Sequence, residues 1–202
     1  MAANLAMMLR LARTFELLAA ALDRLAVPYA VVGSVASSAR GSYRATEDID
    51  LLARISPQQL AQLALALGQD WYADADQIRD ALSAGRAFNV IYIPFSQKVD
   101  IFPVKDDFSL AQLEHATRLP VPALGSGAEY PVSTSEDIVL AKLQWYRAGG
   151  ETSERQWTDI LKVIVATPNM DWAYVESWAR RLGVDELLAR ARAVAVSSPP
   201  IP

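Results

Sequence analysis

The chain has 202 residues, enough for one compact unit with an appendage or at most two small domains. Hydrophobic residues make up 52% of the sequence and charged residues 21%, a globular balance that excludes wholesale disorder. There is no cysteine and a single histidine, His115, which excludes disulfide scaffolds, thiolate chemistry and multi-histidine metal sites. Any metal bound by this chain is therefore a hard cation with oxygen ligands.

The charge balance bears on the class of partner. Nineteen basic and 23 acidic side chains give a net charge of −4, so the chain lacks the global basicity of a general nucleic-acid binder. A local basic patch that docks one end of an RNA is compatible with this charge. Arg10, Arg13 and Glu16 interrupt the N-terminal apolar run, unlike a signal peptide. The longest uncharged stretch, Leu25–Ala39, is too short to span a bilayer. We expect a soluble, cytoplasmic protein without a membrane partner.

The first two thirds of the chain alternate helical and strand patterns. Helical periodicity predicts a first helix that ends before Pro28, and the apolar run Tyr29–Val32, stopped by Gly33, predicts a buried strand. Ser56 and Gln59 have the spacing of a capping box. The other predicted elements are a short helix at Ser34–Ser38, a strand at Ile49–Ile55, helices at 57–68 and Asp76–Ala84, strands at Ala87–Ile93 and Lys98–Val104 joined by a turn at Pro94–Gln97, a loop at Pro120–Gly127 and a strand at Tyr130–Val132.

The last third is helical. Thr134 with Asp137, and Ser153 with Gln156, have the spacing of helix N-terminal caps. The predicted helices are Ser135–Arg147, Glu154–Ala166, Asp171–Leu182 and Asp185–Val196. The sequence therefore predicts the α/β (α+β) class: a mixed sheet flanked by helices over residues 1–133, followed by a C-terminal helical bundle over residues 134–202.

Three aspartates interrupt apolar strand patterns: Asp48, Asp50 and Asp100. Residues two apart on a strand point to the same side, so Asp48 and Asp50 are predicted to share a face while Ile49 and Leu51 enter the core. A neighbouring strand would place Asp100 beside them. Converging carboxylates need a compensating cation, and Mg²⁺ takes one or two carboxylates together with waters and substrate phosphates. Taken alone, the pair is also compatible with solvated aspartates at a strand end.

Taken in chain order, the motifs around these aspartates resemble the signature of a known superfamily. Val32-Gly33-Ser34, the D-I-D-L run 48–51 and Val99-Asp100-Ile101 resemble the nucleotidyltransferase superfamily related to DNA polymerase beta, with its Gly-Ser pair after a strand, hDhD strand and later hDh strand. The run 44–51, R-A-T-E-D-I-D-L, is similar to the R-x-T-x-D-I-D-L version of the bacterial AbiEii-like branch, which includes toxins of toxin–antitoxin pairs. The helical segments that contain Lys142 and Asp159 resemble the K-L and R-x-x-x-D-I/L helices of that branch.

The resemblance implies a chemistry and a set of roles. The chain would transfer a nucleoside monophosphate from an NTP, with Mg²⁺ or Mn²⁺, to an acceptor hydroxyl and release pyrophosphate. Asp48, Asp50 and Asp100 would be the catalytic metal ligands, and Asp100 would also act as general base. The implied nucleotide-binding residues are Gly33, Ser34, Arg44, Lys142 and Asp159. The acceptor is left open between an RNA end such as that of tRNA, a protein and a small molecule, and a small antitoxin is a possible protein partner.

Alternatives stay open at several of these positions. Lys142 is equally compatible with a snorkelling surface lysine, and Asp159 with a helix pair to Arg155 four residues earlier. His115 is predicted to lie at a helix end near solvent. Three aromatic residues of the helical region are predicted to belong to the core rather than to stack on a base: Trp145, Tyr146 and Trp157. The alternative function is a non-catalytic nucleotide-binding or interaction module that retains the fold.

Overall fold

A computed structural model of the chain describes residues 2–42, 46, 48–124 and 127–197, with the side chains of 2–5, 122 and 197 left out. The described strands are β1 (Tyr29–Val32), β2 (Ile49–Ala53), β3 (Trp71–Tyr72), β4 (Phe88–Tyr92), β5 (Gln97–Pro103), β6 (Thr117–Pro120) and β7 (Glu129–Val132). The described helices are α1 (Ala2–Arg24), α2 (Gly33–Ala39), α3 (Pro57–Leu67), α4 (Ala75–Ser83), α5 (Asp107–Glu114), α6 (Ser135–Ala148), α7 (Glu154–Ala166), α8 (Trp172–Leu182) and α9 (Asp185–Ser197), with 3-10 turns at Ile93–Phe95 and Pro122–Leu124.

The strands form one mixed sheet in the order β3-β4-β5-β2-β1-β7-β6. β2 pairs with β5 and β1 with β7 in parallel, whereas the other neighbouring pairs are antiparallel. The alternating residues Ile49, Leu51, Val99 and Ile101 of the two central strands are completely buried. This confirms the prediction that Ile49 and Leu51 enter the core, and it leaves the intervening residues on the opposite face.

Most predicted elements are confirmed to within a few residues at their ends. Ser56 and Gln59 form the predicted capping box at the start of α3. The hydroxyl of Thr134 accepts the N–H of Asp137, and that of Ser153 accepts the N–H of Gln156, so the caps of α6 and α7 are confirmed as well. These local signals satisfy backbone donors that a helix start otherwise leaves unpaired.

The sequence analysis did not predict β3 and β6, and of α5 it predicted only that His115 lies at a helix end. β3 is only two residues long, too short for a periodic pattern. α5 begins after Asp106, which forms a capping box with Ser109. The predicted loop from Pro120 overlaps the end of β6, which lies at a sheet edge, where a strand tolerates proline.

The helices of the last third pack on the sheet region as well as on one another. α6 contacts α2, α7 and α8, and α9 contacts α7 and α8. One core cluster includes Leu22 and Ile101 together with Leu140 and Ile164 from the helical region. The division into two domains at residue 133 stays a prediction. No described helix combines the length and apolarity that a bilayer crossing requires.

The guanidinium of Arg40 ties the end of α2 to the far side of the sheet. It donates to the carbonyls of Val132 and Ser133, both at 2.9 Å, and to the Thr117 hydroxyl at 2.7 Å. Burial lowers the pKa of Arg40, and the nearby acids Glu136 and Asp137 oppose this effect. Arg40 therefore holds α2 in place against β6 and β7.

Candidate functional site

Two aspartates stand side by side on the central strands. In the parallel pairing of β2 with β5, Asp50 is the register partner of Asp100. Register partners point to the same face of a sheet, so both carboxylates emerge opposite the buried face of Ile49 and Ile101. Both aspartates are half-buried. The structure thus brings together two of the three predicted carboxylates, from positions far apart in the sequence.

Gly33 lies directly against one of these carboxylates. β1 places Val32 opposite Asp50, and Gly33 follows with a φ of +64° at the start of α2. A Cβ atom at Gly33 would overlap Oδ2 of Asp50. Glycine is therefore required twice here, once for the left-handed backbone conformation and once for the close approach.

A cleft of about 770 Å³ opens over this face of the sheet. Asp50, Leu52 and Phe102 line it from the strands, and α5, α6 and α7 supply the facing wall. Gly33 and Ser34 lie at its edge from α2. Among its described lining residues the basic ones are Lys105, Lys142 and Arg155. The cleft therefore combines a carboxylate floor, an apolar strip and cations from three separate segments.

The electrostatics of Asp50 reflect this crowding. The pKa of Asp50 is raised to about 6, chiefly by burial and in addition by the neighbouring carboxylates of Asp100 and Asp48. Lys142 and Lys98 act in the opposite direction. A buried carboxyl beside other acids favours whatever brings positive charge to it, either a proton or a cation.

Lys142 and Asp159 face each other across the helical wall. The Lys142 Nζ lies 3.5 Å from Oδ2 of Asp159, and the two side chains are only 17% and 16% exposed. This burial is unlike that of a snorkelling surface lysine. Asp159 has a partner on the neighbouring helix α6, which the helix-pair interpretation with Arg155 did not anticipate. Both predicted residues line the cleft.

Asp48 directly precedes β2, which begins at Ile49, and its side chain is exposed. Its carboxylate is close enough to Asp50 to raise the pKa of that residue, and its role as a metal ligand stays a prediction. Asp48 lines a second cavity of about 510 Å³, together with Arg10 and Lys98. Lys98 Nζ also lies 2.6 Å from Oδ2 of Asp100, a contact that raises the pKa of the lysine.

The donor set at the centre fits a magnesium ion in part. Within the described residues, no three acidic or histidine side chains come close enough together to hold a metal. Asp50 and Asp100 remain as an adjacent pair, and Mg²⁺ needs only one or two protein carboxylates when phosphates and waters complete its shell. The raised pKa of Asp50 is the electrostatic sign of a position that gains from a cation.

Other residues singled out from the sequence have varied outcomes. Arg44 lies outside the described residues. His115 caps the end of α5, 46% exposed, as predicted. Tyr146 is buried, but Trp145 is 57% exposed and lines the cleft, contrary to its predicted place in the core. Its three-residue spacing from Lys142, which puts both on one helix face, was the available signal.

The fold can be set beside solved structures. No protein-family model and no curated protein matches the chain. The crystal structure of ANT(2")-Ia in complex with adenylyl-2"-tobramycin has a TM-score of 0.51 and 14% identity, covering 85% of this chain and 95% of that chain. The solution structure of the antibiotic-resistance factor ANT(2'')-Ia has a TM-score of 0.48 and 17% identity, covering 92% and 94%. An antigenic nucleotidyltransferase-like protein from Paracoccidioides brasiliensis has a TM-score of 0.47 and 20% identity, covering 90% and 91%.

At such low identity the likeness concerns the fold, and among these three the ANT(2")-Ia complex supplies the argument because its TM-score exceeds 0.5. The mixed sheet of seven described strands with its surrounding helices corresponds to a nucleotidyltransferase-like architecture. The α/β fold class predicted from the sequence is confirmed, and the chain has a nucleotidyltransferase-type fold.

Proposed function

We propose that this protein is a metal-dependent nucleotidyltransferase, which transfers a nucleoside monophosphate from an NTP to an acceptor hydroxyl and releases pyrophosphate. The observation that carries the proposal is the pairing of Asp50 with Asp100 on neighbouring parallel strands, with Gly33 pressed against Asp50 at the floor of a cleft. A protein of similar fold has been crystallised with adenylyl-2"-tobramycin, a nucleotidylated hydroxyl compound.

The cleft has the size and the basic side chains that nucleotide binding requires. Its volume of about 770 Å³ lies within the range typical of small-molecule sites. Lys142 and Arg155 line it and supply positive charge, as phosphates require, and Gly33 and Ser34 lie at its edge. Lys142 would exchange part of its interaction with Asp159 for a phosphate oxygen. Asp159 then serves to hold the lysine in place rather than to contact phosphate, because two anions repel.

The reaction follows from these placements. The acceptor oxygen forms a bond to the α-phosphorus while the bond from that phosphorus to the bridging oxygen breaks, and pyrophosphate leaves with the electron pair. Asp100 receives the hydroxyl proton, the general-base role that the sequence resemblance implies. Asp50 and Asp100 would hold Mg²⁺, which would neutralise charge on the phosphates. The proposal also includes Asp48 as a further metal ligand. It includes Arg44 as a residue that contacts a phosphate.

A narrower hypothesis concerns the branch of the superfamily. The R-A-T-E-D-I-D-L run and the helical motifs around Lys142 and Asp159 favour the AbiEii-like branch. Within that branch the protein would act in the cytoplasm as a toxin and be opposed by a small antitoxin. This hypothesis rests on the sequence motifs alone.

The alternative function is a non-catalytic nucleotide-binding module. The contact of Lys98 with Asp100 favours it, because a lysine already supplies the positive charge that a metal would bring. A module of this kind would bind an NTP in the cleft without needing a divalent cation.

Calorimetry with each NTP separates the two functions. Titrations are done with Mg²⁺ and with excess chelator, and α-labelled NTP is then incubated with whole-cell lysate to follow transfer of the label. We expect binding to weaken at least tenfold in chelator and label to appear in an acceptor. Equal NTP affinity in chelator, together with the absence of transfer, would exclude the enzyme and leave the binding module.

A further inference from the structure

The second cavity lies across the aspartates from the cleft. It is formed by the beginning of α1, the turn Ile93–Phe95 and the first residues of β5, and it has a volume of about 510 Å³. No described residue lines both this cavity and the cleft. Asp50 lines the cleft and Asp48 lines the second cavity. Along β5, Lys98 of the second cavity precedes Asp100 and Phe102 of the cleft follows it, so Asp100 lies between the two spaces.

This arrangement suits a two-substrate displacement at phosphorus. The attacking and leaving oxygens lie roughly in line on opposite sides of the reacting phosphorus. With a nucleotide in the cleft and its phosphates near Asp50, the acceptor hydroxyl must approach the α-phosphorus from the side opposite the departing pyrophosphate. Lys98 of the second cavity contacts Asp100, the proposed general base, at 2.6 Å. The second cavity thus opens next to the group that would receive the acceptor's proton.

The charge of the cavity selects among acceptors. Its described lining contains two basic side chains, Arg10 and Lys98, and one acidic side chain, Asp48. Lys98 is already paired with Asp100, so Arg10 is the basic group that an incoming acceptor meets. The Arg10 guanidinium is exposed and lies 6.0 Å from the centre of the Phe95 ring, so its planar donors face a space with an aromatic wall. An arginine in this setting suits a phosphate, whose oxygens accept two parallel N–H bonds. A polycationic aminoglycoside would instead meet the like charge of Arg10.

We infer that the second cavity receives the acceptor and that the acceptor carries a phosphate group beside its reacting hydroxyl. This inference rests on the proposed function and names the substrate class of its second substrate. The new bond joins the acceptor oxygen to the α-phosphorus, the bond to the pyrophosphate bridging oxygen breaks, and the hydroxyl proton passes to Asp100. Two sources share this chemistry: the end of an RNA and a free nucleotide or sugar phosphate.

Charge reversal at Arg10 tests the inference. Arg10→Glu is compared with Arg13→Glu, a matched control on the same helix at an exposed arginine outside the cavity lining. Arg10→Gln serves as a milder variant should the reversal impair folding. Each protein receives α-labelled NTP and Mg²⁺ in three arms: total cellular RNA, a mixture of nucleoside 5′-monophosphates and sugar phosphates, and tobramycin.

We expect label in one of the two phosphate-bearing arms, which identifies the source, and none in tobramycin. Arg10→Glu should lower kcat/KM for that acceptor at least tenfold and leave the Kd of the NTP within twofold, whereas Arg13→Glu changes neither. Transfer to tobramycin, or equal rates for the two variants, overturns the inference. NTP binding that depends on the metal, without transfer in either phosphate arm, also overturns the inference. That outcome would still support the proposed nucleotide site in the cleft. If NTP binding is independent of the metal and no arm is labelled, the proposed function fails together with the inference.

Discussion

Two aspartates, the half-buried Asp50 and the buried Asp137, both have a pKa raised chiefly by burial, yet their surroundings are opposite. Asp137 is completely buried near the start of α6. The Thr134 hydroxyl donates to one carboxylate oxygen at 2.8 Å, and the Tyr174 hydroxyl donates to the other at 2.6 Å. His115 Nδ1 lies 3.1 Å from the same tyrosine oxygen. The carboxylate therefore fastens α6 to α8 through a connected polar network.

Around Asp50 the influences after burial are like charges. The carboxylates of Asp100 and Asp48 add to the rise in its pKa, whereas hydrogen bonds to Asp137 oppose the rise there. Burial raises the pKa of both groups, so burial does not distinguish a structural acid from a functional one. The causes that act after burial do distinguish them. An acid held by donors stabilises the fold, and an acid crowded by other acids marks a place where a ligand brings the compensating charge.

The largest effect is expected from Asp50→Asn. This change removes a proposed metal ligand and should lower nucleotidyl transfer by at least about 10³-fold, roughly 4 kcal/mol of transition-state stabilisation. The melting temperature should stay the same or rise, because repulsion from Asp100 is relieved. Labelled-NTP assays and thermal melts measure both effects. Asp80→Asn, at an exposed acid on α4, is the control and should change neither. Transfer near the wild-type rate in Asp50→Asn would remove the catalytic role.

Asp137→Ala should show the reverse pattern. It leaves the hydroxyls of Thr134 and Tyr174 without their acceptor in a buried site, which we expect to cost about 2–4 kcal/mol of unfolding free energy. Urea titration at neutral pH measures this cost, and Tyr174→Phe, which removes one hydrogen bond, should cost about 1 kcal/mol. NTP affinity of the folded variant should change less than twofold. If Asp137→Ala is as stable as the wild type but deficient in transfer, Asp137 is not the structural acid that this comparison assumes.

Gly33→Ala tests whether the position of Asp50 matters beyond its charge. The matched control is Gly150→Ala, since Gly150 also has a positive φ, +75°, but has open space where a Cβ would lie. Both variants should lose about 1 kcal/mol of stability or somewhat more from backbone strain. Only Gly33→Ala should also displace the Asp50 carboxylate and slow transfer, by roughly tenfold to a hundredfold. Equal transfer rates in the two variants would show that the close approach is incidental.

The smallest effect is expected at Lys142. Lys142→Ala should weaken NTP binding or slow transfer about tenfold, equivalent to about 1.4 kcal/mol. Lys162→Ala is the control, because Lys162 lies on α7 one turn from Asp159 and outside the cleft lining. Calorimetry and steady-state rates compare the two variants. If both bind and react alike, the ion pair with Asp159 is purely structural, and the aspartates and Gly33 carry the site.

The sequence allowed the central strands to be predicted because each is a short apolar run bounded by a turn or cap signal. Alternation then placed Ile49 and Leu51 in the core, and the proximity of Asp50 to Asp100 followed once their strands were neighbours. Asp48 lies one residue before β2, and periodicity alone does not encode where a strand ends, so its place beside Asp50 stays a prediction.

Contacts between distant segments account for what the sequence did not reveal. The pairing of Lys142 with Asp159 depends on how α6 and α7 pack, and that of Lys98 with Asp100 on a side-chain rotamer. Trp145 is exposed because the cleft opens beside its face of α6, a property of the packed molecule rather than of the helix. Periodicity distinguishes the faces of one element but does not say which neighbour covers each face.

The parallel pairing of β2 with β5 also has a consequence for folding kinetics. β5 lies between β4 and β2, so Asp50 and Asp100 become neighbours only after the whole intervening chain has closed into a loop. Pairings of high sequence separation form slowly because the entropy of loop closure is lost before the contacts compensate for it. During synthesis, Asp50 leaves the ribosome well before its partner strand exists. The carboxylate pair of the candidate site is therefore assembled late, and a chain in which β5 has not yet paired lacks it.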